Sequence, residues 1–138
     1  MIQQSPIQRP RAKSRRGTAI VEFAVCLPLL ALLVFGTIEA ASRIFLKQTL
    51  SISAYEAARQ AIRVGSTTEN SKASGDSILT ARKVKGSQIV FSPADITNAS
   101  RGELISVSVS APTRDNSQVL GKFIADKTIT ATVVMVKE

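Results

Sequence analysis

Apolar and polar residues alternate in three different ways along this chain, and each pattern predicts a different element. From Ala19 to Ile38 the side chains are apolar except for Glu22 and Thr37, with no period. A helix of that length spans about 30 Å, the thickness of a bilayer's hydrocarbon core, so the run predicts a membrane-crossing helix. Pro28 lies inside it. Its ring removes one N–H and crowds the carbonyl of Ala24, which predicts a kink between Ala24 and Pro28.

The second pattern has a helical period. "EAASRIFLKQTLSISAYEAARQAIRV", residues 39 to 64, holds no proline or glycine and many good helix formers. Leu50, Ala54, Ala57, Ala61 and Val64 recur every three or four residues and form one stripe of mostly small side chains. Glu39, Arg43 and Lys47 follow one another at four-residue spacing, so charge is expected away from that stripe. Gly65 supplies a stop. The membrane helix is thus expected to run on, without a break, into an amphipathic helix. Its small-residue stripe can pack on the protein's own C-terminal region or on a partner.

The third pattern has period two. "ELISVSVSA" (103 to 111) sets Ile105, Val107 and Val109 against Ser106, Ser108 and Ser110. "KTITATVVMV" (127 to 136) sets Ile129, Ala131, Val133 and Met135 against Thr128, Thr130 and Thr132. With the shorter "SQIVFS" (87 to 92), these predict about three antiparallel strands with one aliphatic face and one wet face. Residues 66 to 77 read as a loop, followed by a short helix near Ser77 to Lys83. The fold class is therefore α+β: a long N-terminal helix, membrane-spanning in its first half and amphipathic in its second, with a small antiparallel sheet packed on it. The predicted divisions are a basic leader (1–17), a transmembrane helix (18–38), an amphipathic extension (39–65) and a small outward domain (66–138).

Charge adds topology. The chain has 138 residues, 18 Lys and Arg against 10 Asp and Glu, and a formal charge of +8. Arg9, Arg11, Lys13, Arg15 and Arg16 precede Gly17 in a stretch with no acid and two prolines, Pro6 and Pro10. Basic residues abutting an apolar helix mark its cytoplasmic side, so residues 39 to 138 are expected outside the cytoplasm. Beyond that leader there is no basic patch with interleaved aromatics, and aromatics are only 4% of the chain. The basic tail is therefore read as a topology signal, with the lipid bilayer and not nucleic acid as its partner.

The remaining chemistry is sparse. With no histidine and a single cysteine, imidazole acid–base catalysis and the usual zinc sites are out of reach, and no glycine-rich phosphate loop occurs. Cys26 lies within the apolar run and reads as a small hydrophobe. Scattered serines and lysines show no arrangement that favours catalysis. No enzyme activity, cofactor or metal is expected.

Glu22 is the residue that the membrane reading does not explain. A carboxylate in a membrane helix costs about 2.5–3.5 kcal/mol near the bilayer centre and less near an interface. Taken alone, Glu22 can snorkel to the headgroups or pair with Arg15 or Arg16. Its frame is more informative: a basic leader, Gly17, then "TAIVEFA" and an unbroken apolar helix.

That frame resembles the processing signal of class IVb prepilins. The longer stretch "RRGTAIVEFAVCLPLLALLVFGTIEAASRIFLKQTL", with Glu39 after Phe35-Gly36 and Ala57-Ala58-Arg59 beyond it, resembles the TadE-like pseudopilins of tight-adherence (Flp-type) pilus systems. "ISVSVSAPT" and "TITATVVMVKE" are compatible with the strand-rich C-terminal region of that family. The resemblance implies that a prepilin peptidase cuts between Gly17 and Thr18, reading Gly17, Thr18, Glu22 and Phe23. It also implies that Glu22 binds the new Thr18 amine of a neighbouring subunit. At 4 Å and an effective dielectric of 20 such a pair attracts by about 4 kcal/mol. The implied role is a minor pilin that helps assemble a pilus for surface attachment. Its implied partners are other pilins or pseudopilins and pilus-assembly membrane proteins. The implied location is the bacterial inner membrane, single-pass, N-terminus cytoplasmic and C-terminus outside.

Two other readings compete. A secreted or periplasmic protein could be released by signal peptidase near "EAAS" (39 to 42), where Ala40 and Ser42 offer small residues but Glu39 does not help. An uncleaved anchor could instead carry a binding module. The first of these leaves Glu22 unexplained, and Pro28 to Gly36 runs straight into a good helix.

Overall fold

A computed structural model describes residues 16–138 apart from Leu120, Lys122 and Ile124. Helix α1 runs from Arg16 to Ala61 and α2 from Thr68 to Ala81. Strands β1 (Gln88–Ser92), β2 (Leu104–Pro112) and β3 (Thr128–Val136) form an antiparallel sheet in the order β1-β2-β3. The α+β class and the three strands are as expected, and each strand lies within one residue of its predicted bounds.

The chain divides into two compact units, one ending at Val34 and one running from Phe35 to Glu138. The first is helix α1 up to the boundary. It is long and apolar enough to cross a bilayer, and among the described residues none of its side chains is buried within the protein. Ile20, Val25 and Leu32 are each about 70% exposed. In water such a surface carries a large unfavourable transfer free energy, so this unit needs lipid or other apolar cover.

The second unit has a core of its own. Leu46, Leu50, Ala54, Ala57, Ala58 and Ala61 form the buried stripe of α1, and Ile105, Val107, Val109 and Ala111 form the buried side of β2. Helical and strand periods thus meet face to face. Register explains why β2 is the most buried strand. Val107 lies between Phe91 of β1 and Val133 of β3, and Val109 between Ile89 and Ala131. The amphipathic part of α1 therefore packs on this chain's own sheet.

Helix α2 begins nine residues earlier than the sequence suggests. Thr67 caps it, its side-chain oxygen accepting from the Asn70 backbone N–H at 3.2 Å, and Glu69 sits in the first turn, where the helix dipole favours an acid. Gly75 shows why a poor helix former is kept inside it. A Cβ there would lie 2.8 Å from Ile89 Cδ1, 3.1 Å from Ala57 Cβ and 3.2 Å from Ser53 Oγ. Ser53 Oγ also donates to the Gly75 carbonyl at 3.0 Å, so the α2 backbone at Gly75 rests directly on small side chains of α1.

Two further expectations are corrected. Helix α1 ends at Ala61, not Val64, and Val64 is 84% exposed, outside the core stripe. The end is set by distant partners. Lys137 Nζ donates to the carbonyls of Ala61 and Arg63 at 2.9 and 3.2 Å, and Ser66 Oγ approaches the same two at 2.7 and 2.8 Å. A buried ammonium is costly unless its donors are satisfied. Here it meets the negative end of the helix dipole. The outer sheet face is also less polar than expected. Ser108 and Thr132 share a hydrogen bond of 2.8 Å across it, but Val90, Leu104, Val134 and Val136 stand exposed on the same side.

Candidate processing site and domain junction

Gly17 occupies the first turn of α1, and among the described residues nothing beyond its own turn of helix lies within 4 Å of the place a Cβ would take. Thr18 and Glu22 are four residues apart on one helix, which puts both side chains on the same face, about 6 Å apart along the axis. Both are exposed, and Phe23 beside them is 60% exposed. Among the described residues no side chain forms an ion pair with Glu22. Of the predicted topology residues, Arg9, Arg11, Lys13 and Arg15 lie outside the described residues. Arg16 opens α1, and its side chain lies outside them too. Pro28 lies inside α1, which continues through it as one helix. The proline leaves the Ala24 carbonyl without its usual helical N–H.

A second acidic residue behaves differently from its sequence expectation. Its four-residue spacing from Arg43 puts Glu39 with the charge away from the stripe, yet it is only 5% exposed. Its Oε1 receives Arg43 Nε at 3.4 Å, and its Oε2 accepts the Ser117 hydroxyl at 2.6 Å. Ser117 lies on the connection between β2 and β3. The carboxylate therefore ties this connection to α1 one residue after the apolar run ends. Nothing in the local spacing signals a contact spanning that much sequence. The family pattern marks Glu39 only as expected at that position.

A cleft of about 410 Å³ lies nearby, between Phe45 and Thr49 of α1, the α2–β1 turn at Lys83 and Val84, and Asn116. Asn116 in this cleft is occupied structurally: its Oδ1 accepts from the Lys85 N–H, and its Nδ2 donates to the carbonyls of Lys85 and Pro112. At the far end of the sheet Asp95 organises a turn. Its pKa is lowered, first by the Thr97 backbone N–H, then by the Thr97 side chain, and also by the Asn98 amide. Among the described residues no cluster of acidic or sulfur ligands could hold a metal ion.

No curated protein and no solved structure matches the chain. One family match falls on the long helix, from Gly17 to two residues before the helix ends. Residues 17–59 match the family model of the TadE-like proteins, the family whose motifs the helix carries and which points to an association with tight-adherence pili.

Proposed function

We propose that this protein is a minor pilin, or pseudopilin, required to assemble a tight-adherence pilus used in surface attachment. The observation that carries the reading is the TadE-like match over residues 17–59, which begins at the glycine of the leader. On this reading α1 crosses the inner membrane once. The basic leader stays in the cytoplasm and the sheet-bearing unit lies outside. A prepilin peptidase removes residues 1–17, and the freed Thr18 amine meets Glu22 of a neighbouring pilin or pseudopilin. Unprocessed chains carry the carboxylate but no free amine, so they dock poorly. The exposed apolar surface of Ile20, Val25 and Leu32 supports a lipid or pilin environment for the first unit. Family character and the lack of histidine both support a structural role over a catalytic one.

Topology gives the first test. Alkaline phosphatase, active only after export, fused after Glu138 should be active, whereas a cytoplasm-dependent reporter at the same place should be silent. The reverse pattern would place the sheet in the cytoplasm and end the pilin reading.

A further inference from the structure

The second half of α1 has two apolar faces, and the fold covers one of them. Leu46, Leu50, Ala54, Ala57 and Ala61 belong to the core. On the other side of the helix Ile38, Ala41, Phe45, Gln48, Ile52 and Tyr55 follow one another at alternating spacings of three and four residues. Phe45 is 62%, Tyr55 52%, Ile52 43% and Ile38 37% exposed, and Ile44 beside them is 59% exposed. The charges of this stretch lie elsewhere. From Thr37 to Tyr55 the charged residues are Glu39, Arg43 and Lys47. Glu39 binds Arg43 and Ser117, and Lys47 Nζ donates to the Thr130 carbonyl, so all three are turned toward the sheet side. The outward face is therefore uncharged for five turns. A helix that is apolar on opposite faces is one that is covered on both, and a 3.5-residue repeat is the seam that another helix fills.

Three observations single out a second copy of this chain, parallel and in register, as the occupant. The first is charge. Identical copies meet along this face without like-charge repulsion, and where the seam ends, Arg59 already meets Glu56 of its own helix at 3.6 Å. The second is Gln48, the polar layer of the stripe. Its amide both donates and accepts, so the same residue of an identical copy satisfies it, whereas an apolar layer would leave it unpaired. Antiparallel pairing along the stripe would set it against Ile52. The third is area. At roughly 200 Å² for a large side chain, the five exposed residues offer about 500 Å² from each copy. With Ala41 and Gln48 added, the pair approaches the ~1,200 Å² at which specific interfaces begin.

We propose that the outward stripe of α1, from Ile38 to Tyr55, is the interface of a parallel, in-register pair of this chain, with Gln48 hydrogen-bonded to its counterpart. The stripe lies wholly within the sheet-bearing unit, so the proposal stands whether or not the pilin reading does.

Cysteine cross-linking of the full chain in mild detergent tests it, with Cys26→Ser as the background. Gln48→Cys and Ile52→Cys lie on the stripe. Lys47→Cys and Leu104→Cys are exposed positions off it. After mild oxidation each stripe variant alone is expected to give a disulfide-linked dimer at about ten times the yield of the other two, because docking raises the local thiol concentration far above the collisional one. Phe45→Glu added to Ile52→Cys should return its yield to that of Leu104→Cys. Phe45 is mostly exposed, so that change leaves the fold of each copy intact while setting two carboxylates in one apolar layer. Equal yields at all four positions, or no dimer at either stripe position, overturn the proposal. A dimer that forms only when Gln48→Cys and Ile52→Cys are mixed reports antiparallel helices and overturns it too, as does an Ile52→Cys dimer that survives Phe45→Glu.

Discussion

Glu22→Gln is expected to be cut after Gly17 at close to the normal rate and yet to leave cells without pili. In the proposed role the peptidase reads chiefly Gly17 and the start of the helix, which the substitution leaves alone. Gln is nearly the same size as Glu, so the packing of Phe23 and the apolar run around it is preserved. What disappears is the charge that, in the proposed role, meets the Thr18 amine of a neighbour. At 4 Å and an effective dielectric of 20 that attraction is about 4 kcal/mol, close to a thousandfold in docking equilibrium. Loss of a charge also makes insertion of the helix easier, so a poorly inserted variant would point to a different defect. Two readouts taken together decide the matter: the N-terminal mass of the variant and its pilus yield at wild-type protein level. Normal piliation by Glu22→Gln would mean that Glu22 only snorkels.

Leu50→Ala is expected to destabilise the sheet-bearing unit by about 3 kcal/mol, within the range for fully buried leucines that leave a cavity. Leu50 is completely buried in the α1 stripe, in the core shared with β2. A small domain has only about 5–15 kcal/mol in total, so the variant should sit near the edge of folding. Ile52 is the control: it is on the same helix but 43% exposed, so Ile52→Ala should cost well under half as much. Hydrogen exchange at the Val107 and Val109 amides of the full chain in detergent micelles reads both values. Equal losses for the two variants would contradict the packing of α1 on this sheet.

These two predictions draw on different parts of the sequence, and the parts were not equally legible. Strict alternation in "ISVSVSA" and "TITATVV" placed β2 and β3, because a period of two has one buried face wherever the strand sits. Leu50, Ala54, Ala57 and Ala61 were likewise readable as a stripe, and all four are fully buried. Helix α2 was not. Ser71, Ser74, Gly75 and Ser77 have the composition of a loop, and the backbone approach at Ala57 that makes Gly75 useful is a tertiary fact. Thr67 and Glu69 carried the missed signal, a cap followed by an acid in the first turn. The contacts of Lys137 with Ala61 and Ser117 with Glu39 join residues more than seventy positions apart, beyond any local pattern. Gly17, Thr18 and Glu22 were legible through family resemblance and through the oddity of a carboxylate in an apolar run. The structure adds the helix face that Thr18 and Glu22 share.

The central claim is that residues 1–17 are removed to create a docking amine, and the mass of the mature N-terminus tests it most directly. The protein is purified from membranes of a piliated host, and the N-terminal peptide is weighed beside that of a Gly17→Leu variant. The account predicts a wild-type chain that begins at Thr18 and a variant that retains its leader. A wild-type chain that begins between Ala41 and Arg43, or one that keeps residues 1–17 in piliated cells, would contradict it.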